Sequence, residues 1–167
     1  MTTAATAITT ITTAPALPAI RALLPHSGAM ALLDRVISAD DDALCAEVAI
    51  RADSVFCDGA AVGAWVGIEY MAQAIAAHAG WLAHGRGAPV KVGFLLGARK
   101  YESRRAAFAV GGTLRVHVRR ALQGDNGLGA FECHIDDADT GVTLANATVT
   151  VYQPDNVTQF LKNGTSV

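Results

Sequence analysis

The chain is short of the residues that staple a fold together. It has 3 cysteines in 167 residues, Cys45, Cys57 and Cys133, widely spaced and with no CxxC pair, so neither a disulfide framework nor a cysteine zinc cluster is expected. A reducing cytoplasm suits that usage. With 5 prolines and 17% charged residues, collagen-like and charge-rich disordered classes are excluded. The formal charge of -2 gives no overall electrostatic case for nucleic acid or a membrane surface, so any basic partner site must be local. No HExxH pair, GxGxxG loop or GxSxG elbow occurs. Zinc-hydrolase, dinucleotide and serine-hydrolase chemistries therefore lack support, and neither a metal site nor a bound cofactor is expected.

Long uninterrupted apolar runs are missing as well. The first thirteen residues lack the basic start and continuous apolar stretch of a secretory signal and read as a poorly ordered tail. The segment Ala60 to Leu82 is broken by Glu69, Gln73 and His78, which favours a buried helix of a soluble domain over a membrane span.

What the chain does have is 51% hydrophobic residues, with abundant alanine and valine and only 6% aromatics, so small side chains let elements approach closely. Length and composition suit one domain, over residues 16–153, with tails at 1–15 and 154–167. Ala29 to Ser38 and Ala43 to Ile50 read as two strands joined by the acidic turn Ala39-Asp40-Asp41-Asp42. An irregular loop, Arg51 to Gly63, leads into Ala64 to His84, a helix with alanine at seven positions and no proline, ended by Gly85 and Gly87. Four strand-length segments follow: Val90 to Tyr101, Thr113 to Leu122, Leu128 to Asp136 and Val142 to Tyr152. Leu114-Arg115-Val116-His117-Val118-Arg119 alternates with period two, and Gly111-Gly112, Gly124-Asp125-Asn126-Gly127 and Asp137 to Gly141 are turns. The expectation is an α+β domain in which a six-stranded antiparallel sheet wraps one long helix.

Glu69 lies inside the apolar run Trp65 to Ala72, where burial is expected to be nearly complete and an unpaired carboxylate costly. Gln73, four residues on, shares its helix face, followed by Ala76, Ala77 and Gly80, a stripe that would line a slot for a thin substrate. Such a carboxyl is a candidate general acid or base; the plainer alternative is a structural hydrogen bond. Of the five histidines, His117 and His84 read as solvated, His78 and His134 as structural, and His26, on the turn before the first strand, as able to reach a site. Cys57 reads as a small buried thiol rather than a nucleophile. Between Arg86 and Arg120 nine Lys or Arg face one acid, Glu102. This is either a solvated sheet face or, through Arg99, Lys100, Arg104 and Arg105, a docking patch for an acidic partner or for the phosphates of coenzyme A or phosphopantetheine.

The order of elements, with Leu24-Pro25-His26-Ser27-Gly28-Ala29-Met30-Ala31-Leu32-Leu33-Asp34-Arg35-Val36 and Gly67-Ile68-Glu69-Tyr70-Met71-Ala72-Gln73-Ala74, resembles the hotdog-fold 3-hydroxyacyl-(acyl carrier protein) dehydratases. Within them it is most similar to the dehydratase-like proteins of aryl-polyene biosynthetic clusters. The resemblance implies elimination by a histidine that removes the α-proton and a helix carboxyl that protonates the departing 3-hydroxyl, while helix-start amides polarise the thioester. Glu69 would take the carboxyl role, Gln73 would hold it, and Ala64, Trp65 and Val66 would supply amides, with Ala76 against the chain. The family histidine sits in a Gly-His-Phe-Pro-Gly loop, where this chain has Ser54-Val55-Phe56-Cys57-Asp58-Gly59. His26 or Asp58 would then be the base. The implied readings are a dehydratase acting on acyl carrier protein, a non-catalytic subunit of a heterodimer with an active hotdog protein, or an acyl thioesterase; a homodimer is the alternative assembly.

Overall fold

The alternating run of Thr113–Gln123 forms strand β6, burying Leu114, Val116 and Val118 on one face and turning Arg115 and Arg119 outward. The computed structural model describes residues 17–164. β6 lies inside a six-stranded antiparallel sheet with β1 (Arg35–Ala39), β2 (Ala43–Ala49), β4 (Phe94–Ser103), β7 (Leu128–Asp137) and β8 (Thr143–Tyr152), in the order β1-β2-β6-β7-β8-β4. A 3-10 turn, Ala64–Val66, opens helix α2 (Gly67–Gly85), whose Tyr70, Met71, Ala74 and Ala77 are buried against the inner face of the sheet. Small residues set the close approach: a Cβ on Gly67 would meet Ile135 Cδ1 at 3.0 Å, and one on Gly80 would overlap the backbone of Leu23.

Leu23 belongs to α1 (Ile20–Leu23), a short element that periodicity does not reveal. Two more are the three-residue strands β3 (Ala61–Gly63) and β5 (Ala107–Ala109), which pair with each other as a separate two-stranded sheet. Another is α3 (Val157–Gly164), where the sequence reads as a loose tail. A helix forms there because Phe160 finds partners, its ring centroid lying 4.9 Å from Phe94 and 5.2 Å from Tyr152. The tail expected over residues 1–15 lies outside the described residues.

The first strand starts at Arg35 rather than Ala29, because Gly28 takes a left-handed φ of 59° and Gly28–Met30 coils into a 3-10 turn. β4 starts at Phe94, later than expected, and bulges between Arg99 and Glu102, with Lys100 at φ 53°. Among the described residues no helix is long and apolar enough to cross a membrane.

Candidate active site

Gln73 organises the site. Its side chain is fully buried, and its Oε1 accepts the Leu32 N–H at 2.8 Å while its Nε2 donates to the Met30 carbonyl at 2.8 Å and to Glu69 Oε1 at 2.9 Å. Only this orientation of the amide satisfies both backbone groups, so the donor end necessarily faces Glu69. One side chain thereby clamps the 24–32 segment to α2 and fixes the carboxyl a turn earlier.

The clamped segment carries His26, whose Nε2 is 3.8 Å from the same Glu69 Oε1. That separation exceeds a hydrogen bond and leaves both groups available to a third molecule. His26 Nδ1 is buried and finds no hydrogen-bond partner among the described residues. A buried, unpaired ring nitrogen costs free energy and is a feature of sites that complete their bonding with a ligand.

His26 and Glu69 lie at a cavity of about 170 Å³, walled by Ala72, Ile75, Ala76 and Ala79 of α2 and by Phe94, Phe131 and Val151 of the sheet. The arrangement therefore offers a proton donor, a proton acceptor and a narrow apolar space beside them. Tyr152 also lines it, with the Phe160 ring of α3 packed against it at a tilt of 52°. Lys91, at the same cavity, lies 3.8 Å from Asp155 on the approach to α3. The basic segment was its only trace in the sequence.

Several expected positions are corrected. Glu69 is not nearly buried: its side chain is 34% exposed because it leans toward the cavity instead of into the helix–sheet core. The lining stripe is Glu69, Ala72, Ala76 and Ala79, whereas Ala77 faces the core and Gly80 meets Leu23. Ala64 does not offer a free amide, since its N–H donates to the Ala106 carbonyl at 2.9 Å and its carbonyl accepts the Tyr101 hydroxyl. Trp65 is 64% exposed and packs edge-on to Phe56, Val66 is buried, and none of the three lines the cavity.

Asp58 is not brought to Glu69's cavity. Its carboxylate accepts the Ala60 and Ala61 N–H groups at 2.9 Å, which hold it below the usual carboxylate range. Cys57 accepts the Gly59 N–H in the same turn. Arg99, Lys100, Arg104 and Arg105 are exposed on the edge strand β4 and the turn after it. His78 is buried and bonded to the Asp40 carbonyl at 2.9 Å, and burial lowers its pKa, consistent with a neutral structural role.

A family model described as ApeP-like, ApeP dehydratase, matches residues 18–162. A solved chain of the dehydratase heterocomplex ApeI:P from Xenorhabdus doucetiae is 30% identical, with a TM-score of 0.82 over 90% of this chain and 100% of that one. AziG from S. sahachiroi is 16% identical, with a TM-score of 0.55 over 72% of this chain and 90% of that one. A hypothetical thioesterase from Streptococcus pneumoniae TIGR4, solved with coenzyme A, is 14% identical, with a TM-score of 0.54 over 71% and 84%. The last two share the fold alone, which is the hotdog fold. No curated protein matches the chain.

Proposed function

The chain belongs to the ApeP-like dehydratase family, and on that premise we propose that it removes water from a 3-hydroxyacyl thioester presented in the cytoplasm on the phosphopantetheine arm of an acyl carrier protein. The observation that carries this reading is the placement of His26 Nε2 and Glu69 Oε1, 3.8 Å apart, at one apolar cavity. The imidazole takes the α-proton, and the electrons of that C–H bond form the α,β double bond. The C–O bond at the β-carbon breaks, and the Glu69 proton leaves with the hydroxyl as water. The enzyme is restored when the proton on His26 returns to the Glu69 carboxylate.

Gln73 keeps the carboxyl oriented throughout. The acyl chain lies along Ala72, Ala76 and Ala79, where no side chain projects far enough to block it. Arg99, Lys100, Arg104 and Arg105, exposed along one edge, suit an acidic carrier. The test is intact-mass analysis of an acyl carrier protein loaded with a 3-hydroxyacyl chain. Loss of one water with wild type and none with Glu69→Gln supports the reading; equal loss with both ends it. Release of free carrier thiol instead would indicate a thioesterase.

A second reading is favoured by the likeness to a chain of a dehydratase heterocomplex and by β4, an edge strand that exposes Leu95 and Leu96 at 42% and 55%. Here the chain is a subunit that pairs with another hotdog protein along that edge. Water loss that requires the partner and survives Glu69→Gln would select it.

A further inference from the structure

The outer face of the sheet, turned away from α2, holds a cluster that dehydration does not use. His117 of β6 stands directly opposite His134 of β7 in the strand register, and Asp136 follows two residues along the same face. The two rings stack with centroids 4.4 Å apart and planes 8° from parallel. Their Nε2 atoms lie 3.5 and 3.6 Å from one oxygen, Asp136 Oδ2. We propose that His117, His134 and Asp136 bind a divalent transition-metal ion of the zinc class, with a further coordination position open to solvent.

The distances favour an ion over a hydrogen-bonded trio. At 3.5 and 3.6 Å the contacts are too long for good hydrogen bonds. Ligand atoms around a tetrahedral ion with bonds of about 2.0–2.1 Å stand about 3.3 Å apart. Each imidazole nitrogen thus stands near ligand-to-ligand distance from the one carboxylate oxygen, and rotation of the near-parallel rings out of their stack would aim their lone pairs at a shared ion. Two imidazoles and a carboxylate are the donor set that ions of this class accept.

The surroundings support the site. Asp136 Oδ1 accepts the Thr143 hydroxyl at 2.8 Å, which leaves Oδ2 turned to the imidazoles, as an outer partner does for a ligating carboxylate. Cys45 Sγ lies 3.8 Å from His117 Nε2. On the same face Arg115 stands opposite Glu47 on β2 and Asp136 on β7, and Arg119 opposite Glu132, so carboxylates and guanidinium groups alternate around the histidines. A cleft of about 230 Å³ touching both histidines gives access.

The experiment uses the untagged full chain, stripped with a chelator and titrated with Co2+ and with Zn2+. The expected result is one equivalent of Co2+ with the visible d–d bands of a tetrahedral site, and a Zn2+ binding heat of the same stoichiometry. His134→Ala and Asp136→Asn weaken both by at least about 100-fold, and the rise in Tm that Zn2+ gives wild type disappears. His134 is 46% exposed in its side chain, so its removal leaves the sheet intact, as an unchanged far-UV spectrum will register. Absence of both signals in wild type, or equal affinity in wild type and His134→Ala, overturns the site. Neither readout depends on dehydration.

Discussion

Residues 24–32 and residues 51–60 are the two irregular segments on which a base was sought, and they are held in opposite ways. The first is bonded to the helix: Gln73 takes the Leu32 N–H and gives a hydrogen to the Met30 carbonyl, so His26 is fixed relative to Glu69. The second has no bond to the helix carboxyl and is closed largely by its own turns, with Ser54 accepting the Arg51 N–H, Cys57 that of Gly59 and Asp58 those of Ala60 and Ala61, while its ends reach Asp34 through Arg51 and Val110 through the Ala60 carbonyl. The difference teaches that the loop clamped by a buried polar side chain is the one that brings a side chain to Glu69. In this chain the clamp lies on the His26 side, and residues 51–60 form a turn.

The largest effect expected is on Glu69. Glu69→Gln keeps an oxygen to accept the Gln73 hydrogen but has no proton to transfer, so turnover in the carrier-protein assay should fall by about 1000-fold with Tm nearly unchanged. The comparison between the loops is tested next. His26→Ala should lower the rate by about 100-fold, while Asp58→Asn leaves it at the wild-type value. A fall with Asp58→Asn as large as that with His26→Ala would break the contrast.

Removing the clamp should cost stability as well as rate. Gln73→Leu leaves the Leu32 N–H and the Met30 carbonyl without partners beside a fully buried side chain. At about 1–3 kcal/mol for each orphaned group, denaturant titration should show a loss of about 2–6 kcal/mol in total. With His26 no longer held, kcat should fall more than KM rises. A variant as stable as wild type would mean that the segment is held by its apolar contacts instead.

The fold was legible where local signals repeat. Period two along Leu114 to Arg119 and the glycine turns on either side set β6 and its neighbours, and the alanine-rich run ended by Gly85 set α2. Elements of three or four residues, α1, β3 and β5, carry too few residues to show a period and form only because a partner segment lies alongside. α3 does not show in the sequence because its Phe160 packs on Phe94, more than sixty residues earlier, as well as on Tyr152. At the site, Glu69 and Gln73 were legible from an i, i+4 pair of polar residues in an apolar run. Which side of the helix faces the cavity was not, since a rotation of one residue separates Ala76 and Ala79 from Ala77 and Gly80. The pairing of His117 with His134 was also hidden, because strand register, not sequence spacing, brings them together.

The smallest effect concerns the self-bonded loop and sharpens the contrast from its other side. The Ala60 and Ala61 amides hold the Asp58 carboxyl below its ordinary range, so the folded value lies under the unfolded one. Its stabilising contribution is therefore present above the unfolded value and is lost as the pH falls through the folded value. Asp58→Asn retains an oxygen for the two amides but cannot titrate. Melting scans across the acid range should then show a shallower fall of Tm for Asp58→Asn than for wild type, with dehydration near neutral pH unaffected. Some slope must remain, because Asp40 and Asp137 accept backbone amides in the same way and are also held low. The difference between the two curves isolates the 51–60 turn, and coincident curves would show that this turn does not depend on the ionised carboxylate.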